Sequence, residues 1–523
     1  MVPFSTLCFL LYSHLLLNFA KASPVSNHIV ARAGTIVNVS TVIGSAAGVA
    51  DNDAVRFSVK YASADRWQAS EVASNWELPN NSTDPSAMPL ACPQPASSEN
   101  SAETNEDCLS MVLYVPTTAV TTTLSTLVWI HGGSFVVGSA SGPGLDGAQL
   151  AAATGSIVAV VQYRLGAFGF LNPHGESNLA VKDMITSLQF LRQILPSFNG
   201  DSDEITIAGQ SSGATMVRAL LASPSASDLF KSASLHSDPM NYGFLSTSTF
   251  ETLNDNLLSR LGCSASDTSC LNAISTDNLT DISFALFQDA SNIDPSAGAF
   301  MPMRPVTDGT FITSPLDLTA TFPAQSKTIL VSTVKNEAGP TIYGNFPSDM
   351  SEQNFELAVT ATFGESRSAV IMNSSFYTPA AVGFANATSA AIDARVQLEV
   401  LGTDQVWRCP IWSFAREFAA AGGTVYVGGT HVCHEDDIEI VFGTGSNVSS
   451  DARALTTQIQ ERYASFLAGG TPNSQGLENW TPVSGNTTNT IALGGNGGLV
   501  AVGACDPSFW GAAVQYDYQV FGI

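Results

Sequence analysis

The sequence predicts an α/β fold: a mostly parallel central sheet covered by helices on both sides, with large insertions over a site at the carboxyl ends of the strands. Three observations carry that reading. Short runs rich in β-branched residues end at Gly, His or acidic residues, the pattern of buried parallel strands with functional loops at their ends. Helical periodicity fills the intervals, as the crossovers of a parallel sheet require. One run passes through a Gly-rich turn straight into a helical stretch. With 523 residues, 45% of them apolar, the chain has the material for a large core.

Taken in order, the first 22 residues read as a secretory leader. An apolar run from about Leu7 to Phe19 precedes Ala20, Lys21 and Ala22, a small-x-small cleavage pattern. The run falls short of the ~20 apolar residues that span a bilayer. Mature protein is therefore expected from Ser23, as a single domain over 23–523, secreted and extracellular. No later segment is long and apolar enough to span a membrane, and the end, Tyr518 to Ile523, lacks a hydrophobic anchor tail. Sequons at Asn38, Asn80, Asn81, Asn278, Asn373, Asn386, Asn447 and Asn486 fit that location. Another at Asn479 is followed by Pro482 and is a poor acceptor. A net charge of −25 argues against nucleic acid or anionic membrane as partner, because phosphate repulsion and self-repulsion act together.

Strands are predicted over 126–130, 157–163, 204–208, 328–334 and 424–427. Between them, 178–195 places Leu179, Ile185, Leu188, Leu191 and Ile194 near one helix face, and 452–467 behaves alike. In such sheets the site lies beyond the carboxyl ends of the strands. Strand 204–208 runs into Gly209-Gln210-Ser211-Ser212-Gly213 and a helical stretch over 214–221. This is GxSxG in the strand, turn, helix setting that exposes a serine hydroxyl on a strained turn. The helix amino end behind it favours developing negative charge. Without that setting, the motif is a tight turn with a solvent-facing serine. Strand 126–130 delivers His131-Gly132-Gly133-Ser134, and glycines without a Cβ can turn their N–H groups toward an oxyanion. The candidate donors are the amides of Gly132, Gly133 and Ser212.

A serine nucleophile needs a base. Of seven histidines, His14 falls in the leader, and His28, His131 and His174 precede Ser211. His236 follows it too closely for the chain order of such sites, which is Ser, then acid, then His. His431 and His434 remain, and spacing does not choose between them. Glu337, directly after strand 328–334, is the candidate acid that would orient the imidazole. On local grounds alone it is a solvated loop carboxylate.

Leaving Cys8 aside with the leader, seven cysteines remain, most simply three bridges and one free thiol in an oxidising compartment. Cys263 and Cys270 are spaced to close a small loop, Cys92 and Cys108 a longer one. No CxxC or HxxxH spacing points to zinc, and no metal or organic cofactor is expected.

From about Asp51 to Trp510 the chain resembles the type-B carboxylesterase and lipase family, which includes the cholinesterases. The resemblance rests on Tyr61-Ala-Ser-Ala-Asp-Arg-Trp67, Glu106-Asp-Cys-Leu109, His131-Gly-Gly-Ser134 and Tyr163-Arg-Leu-Gly-Ala-Phe-Gly-Phe-Leu171. It continues through Asn178-Leu-Ala-Val-Lys-Asp183, Gly209 to Gly213, Val334-Lys-Asn-Glu337 and His434-Glu-Asp-Asp-Ile-Glu-Ile-Val-Phe-Gly443. It implies an α/β-hydrolase fold and serine ester hydrolysis through an acyl-enzyme. It selects His434 as base and supports Glu337 as acid, completing a triad with Ser211. It also implies the bridges Cys92 to Cys108, Cys263 to Cys270 and Cys409 to Cys505, with Cys433 as the free thiol. Two structural ion pairs are implied, Arg66 with Glu106 and Arg164 with Asp183.

Departures from the family pattern are Gln210 and Ser212, where members usually read Gly-Glu-Ser-Ala-Gly, Ser134 for a third glycine, and Glu435 for the glycine after the histidine. A neutral Gln210 weakens any case for a cationic substrate. The loop over 93–107, PQPASSENSAETNED, has no large apolar or aromatic side chain. In the family's lipases this loop resembles an apolar lid, and in cholinesterases an aromatic platform. Small or medium soluble esters are therefore expected, with lipid esters in an open cleft as the alternative. The family also holds adhesion proteins that have lost the nucleophile, a reading that the presence of Ser211, Glu337 and His434 disfavours. Pocket walls are expected from 238–322 and 342–405.

Overall fold

The structure is a computed structural model that describes residues 34–51, 54–96, 103–117, 123–317, 320–384, 392–446, 448–494 and 497–510, without the side chain of His431. The expected leader, His14, His28, the sequons at Asn386 and Asn447 and the last thirteen residues lie outside that set.

Among the described residues eleven strands join one sheet. They are β1 Ile36–Thr41, β2 Gly44–Asp51, β3 Ala54–Lys60, β4 Ser110–Pro116, β5 Leu124–Ile130, β6 Ile157–Val161, β7 Gly200–Gln210, β8 Ser232–His236, β9 Thr328–Asn336, β10 Thr424–Cys433 and β11 Ile491–Leu493. Their spatial order is β1-β2-β3-β4-β6-β5-β7-β8-β9-β10-β11. Pairings from β1 to β4, and of β4 with β6, are antiparallel. Every pairing from β6 across to β11 is parallel. The sheet is thus mostly parallel, and β5, β6, β7, β9 and β10 occupy the five spans the sequence predicts. β8 was not among them. It reads SASLH and is buried along its whole length, where small side chains fit between two helix layers. Its hydroxyls are satisfied there, Ser232 with Thr206 at 2.7 Å and Ser234 with Tyr463 at 2.9 Å.

Helices α1 Leu179–Ile194 and α2 Ser212–Leu221 cover one face; α3 Asp436–Phe442 and α4 Ser450–Gly469 cover the other. The first pair buries Leu188, Leu191, Val217 and Leu220 in one apolar cluster, and the second buries Val441, Phe442 and Phe466 with Trp129 of β5 in another. α4 begins at Ser449, whose hydroxyl accepts the Ala452 N–H, and ends at Gly470 with φ 69°. Parallel strands covered in this way point their carboxyl ends, and the loops after them, to one edge of the molecule. That edge holds residues 131–138, 209–213, 236–242, 337 and 433–436.

Several buried and part-buried charges are paired. Arg164 meets Asp183 at 2.7 Å and Arg66 Nε meets Glu106 at 2.9 Å. A pair that sequence reasoning missed, Arg218 with Asp238 at 2.8 Å, is fully buried and ties α2 to the turn after β8. Disulfides join Cys92 to Cys108, Cys263 to Cys270 and Cys409 to Cys505. Cys433 corrects the sequence reading: it is not a free thiol but disulfide-bonded, with its partner outside the described residues. The reading left Cys8 out of the count; the whole chain has eight cysteines, an even number. Among the described residues no helix is long and apolar enough to cross a membrane.

Candidate active site

β7 ends at Gln210 and α2 starts at Ser212, leaving Ser211 between them at φ 55°, ψ −125°. A non-glycine residue holds that conformation only under constraint. Here the Ser211 N–H donates to the His236 carbonyl at 2.9 Å, and its own carbonyl accepts from Ala214 at 2.9 Å and Thr215 at 3.1 Å. Both glycines of the motif are sterically required. A Cβ on Gly209 would stand 2.4 Å from the Gly213 carbonyl oxygen, and one on Gly213 would stand 2.2 Å from that of Ile130.

The loop after β5 runs beside this turn. A Cβ on Gly132 would come within 3.2 Å of Ser211 Cβ and 2.9 Å of the Gln210 carbonyl oxygen. Gly133 has φ 108°, and a side chain there would strike the Val137 carbonyl. The amides of Gly132, Gly133 and Ser212 have no acceptor among the described residues, and Gly132 adjoins Ser211. Ser212 Oγ accepts from Phe135 N–H at 3.3 Å and so joins loop and turn. His131 is a structural member of this loop. It stacks on Tyr163 with ring centroids 4.7 Å apart, and the Tyr163 hydroxyl donates to its carbonyl at 3.0 Å. Burial lowers its pKa to about 4, against a small opposing effect of the Gly132 carbonyl, so it is neutral.

β9 and β10 deliver Glu337 and His434. Glu337 is 1% exposed; its Oε1 accepts the Val334 N–H at 2.8 Å, and its Oε2 lies 2.6 Å from His434 Nδ1. Burial disfavours charge on His434, but the hydrogen bond and charge of Glu337, with Glu435 and Asp437 beyond, outweigh it and raise its pKa to about 9. Nδ1 being engaged, Nε2 faces the serine turn. It lies 3.3 Å from Gln210 Nε2, while Ser211 Oγ has no hydrogen-bond partner among the described residues. Imidazole and carboxylate are thus in contact, and the neighbour of the serine rather than the serine itself stands against Nε2. Trp407, in a π-helical turn over Thr403–Arg408, packs on the imidazole with centroids 5.6 Å apart. Sequence reasoning found neither Trp407 nor the Gln210 contact, and no spacing signals them.

The loop from Cys92 is tied to the same edge, Gln94 exchanging two hydrogen bonds with the Gly138 backbone at 2.8 and 3.0 Å. Asn38, Asn81, Asn278, Asn373 and Asn486 are exposed. Asn80 instead uses its amide internally, donating to the Met88 carbonyl at 2.8 Å and accepting from Leu90 N–H at 3.1 Å.

Known proteins share this architecture. A sequence model of the carboxylesterase family matches residues 34–501. Carboxylesterase 5A of Canis lupus familiaris is 30% identical over 73% of this chain and 69% of its own length. Liver carboxylesterase of Sus scrofa is 27% identical over 79% and 80%. Among solved structures, a PNB esterase superposes with a TM-score of 0.70 at 23% identity, covering 88% of this chain and 96% of its own; it shows the shared α/β-hydrolase fold. The chain belongs to the carboxylesterase family and is a carboxylic ester hydrolase.

Proposed function

We propose that ester hydrolysis here proceeds through Ser211 as nucleophile, His434 as base and Glu337 as the acid that orients it. The observation that carries this reading is the 2.6 Å contact of His434 Nδ1 with Glu337, which leaves Nε2 turned to the strained serine turn. After the Gln210 side chain rotates aside, His434 Nε2 takes the Ser211 Oγ proton as Oγ bonds the ester carbonyl carbon. The amides of Gly132, Gly133 and Ser212 take up the oxyanion. The imidazolium returns the proton to the departing alcohol, and water, deprotonated by the same imidazole, cleaves the acyl-enzyme. Ser211→Ala should lower ester turnover by about 10³-fold or more without changing the unfolding temperature. Turnover near wild type would remove Ser211 from the role.

The substrates in this proposal are small to medium soluble esters, and the protein is secreted. The sequence over 93–107 carries no large apolar side chain for a lid, and its described start is pinned through Gln94 to Gly138. Over a graded series of p-nitrophenyl esters, kcat/KM should fall as the acyl chain lengthens. A preference for emulsified long-chain triglyceride would overturn the substrate assignment.

A further inference from the structure

His236 takes no proton in the steps above, yet it touches both halves of the site. It closes β8 in register with Gln210 of β7 and Ser332 of β9, and its carbonyl accepts the Ser211 N–H at 2.9 Å. Its imidazole is buried toward α3 and α4. Nδ1 lies 3.3 Å from Asp437 Oδ2 and 3.1 Å from Ser332 Oγ. Nε2 lies 2.5 Å from the Tyr463 hydroxyl and 3.1 Å from Ser234 Oγ. The ring stacks on Tyr463 and tilts against Trp129. His236, Asp437 and Tyr463 are each more than nine-tenths buried.

Asp437 is the informative partner. It follows His434 by three residues, in the first turn of α3. Its carboxylate oxygens are buried with no aligned hydrogen bond among the described residues, so the His236 imidazole at ion-pair distance is what meets them. A buried carboxylate left without such a partner is strongly disfavoured. Losing the contact would therefore act on the turn that presents His434, where Glu435 already sits at φ 76°.

We propose that His236 is a positioning residue for the base: through Asp437 it fixes the turn over 433–437 to β8, so that His434 and the nucleophile turn keep one spacing. The proposal rests on His434 acting as base. One residue thus holds the serine turn by its backbone and the histidine turn by its side chain. The titratable groups facing His236 are Asp437 from α3 and Tyr463 from α4; Ser234, Ser332 and Trp129 complete its surroundings. Those facing His434 are Glu337, Glu435 and Asp437, and the last contributes to its raised pKa.

Steady-state ester hydrolysis by the full chain tests this. His236→Gln keeps a hydrogen-bonding side chain but not the ring, and kcat should fall about tenfold with KM within about twofold. Asp437→Asn should lower kcat similarly and move the acid limb of kcat/KM to lower pH, whereas His236→Gln, which keeps the carboxylate, gives no downward shift. The double variant should lose no more than the weaker single one, as for residues acting through one contact. Where His236→Gln does not fold, Tyr463→Phe, which removes one hydroxyl from Nε2, carries the same split of kcat against KM. Wild-type kcat in the folded variant, or losses that add in the double variant, overturn the proposal. Failure of the underlying reading looks different: a serine-directed phosphonate then leaves Ser211 of the wild-type chain unlabelled.

Discussion

Glu337 and Gln210 approach the two ring nitrogens of His434 from opposite ends, at 2.6 and 3.3 Å. A base must be neutral to take a proton, and Glu337, Glu435 and Asp437 favour the imidazolium. The acid limb of kcat/KM should therefore lie above the ordinary histidine value of 6.5, toward about 9. Glu337→Gln removes the leading stabiliser of the imidazolium. It should lower that limb and cut kcat by about 10³ to 10⁴-fold, as a stopped-flow pH profile would record. Gln210→Glu places a carboxylate beside Nε2 and should move the limb upward; an unchanged profile would show that residue 210 does not sense the imidazole. At this scale the sequence was legible only in part. Spacing left His431 and His434 open, because both follow the predicted strand 424–427, and the choice came from the stretch after His434; the strand in fact runs to Cys433 and contains His431. The contacts of Gln210, Trp407 and His236 depend on side-chain directions across separate elements, which spacing does not encode.

At the scale of elements, the G-x-S-x-G segment is first of all a packing solution. β7, α2 and the end of β5 approach so closely that a methyl group at 213 meets the Ile130 carbonyl at 2.2 Å. Gly213→Ala should destabilise the fold by about 3 kcal/mol and lower activity with it; urea denaturation followed by fluorescence measures the first. A variant as stable as wild type would mean that the turn has room to relax. The five predicted parallel strands were readable because their β-branched runs are buried on both faces. β8 was hidden by its Ser and Ala content, and β1 to β4 by lying in the antiparallel end, where runs such as β1 alternate partly and fully exposed residues. β7 and β10 extend beyond their predicted limits into the site, at Gln210 and Cys433, because strand pairing continues past the apolar runs that signal it.

Over the whole molecule, one edge of a mostly parallel sheet gathers residues from 131 to 434, and the closures that hold it are far apart in sequence. The bond between Cys409 and Cys505 spans 96 residues and ties the carboxyl-terminal region to the helix Cys409–Ala420. Replacing both cysteines by alanine should cost about 2–5 kcal/mol, seen as a lower unfolding temperature with kcat little changed. A loss of kcat at intact stability would assign that bridge to the site instead. The insertions over 238–322 and 342–405 were legible as segments but not as surfaces, and Trp407, just past the second, is placed by a π-helical turn over Thr403–Arg408 that no sequence periodicity announces. Above all, we propose that Ser211 is an activated nucleophile beside His434 and Glu337. Its most direct test is to treat the folded wild-type chain with a fluorescent phosphonate and map the adduct by peptide mass spectrometry. One stoichiometric adduct should form on Ser211, in parallel with loss of ester hydrolysis, and its formation should be slowed by Glu337→Gln. A fully inhibited protein with unmodified Ser211 would contradict it.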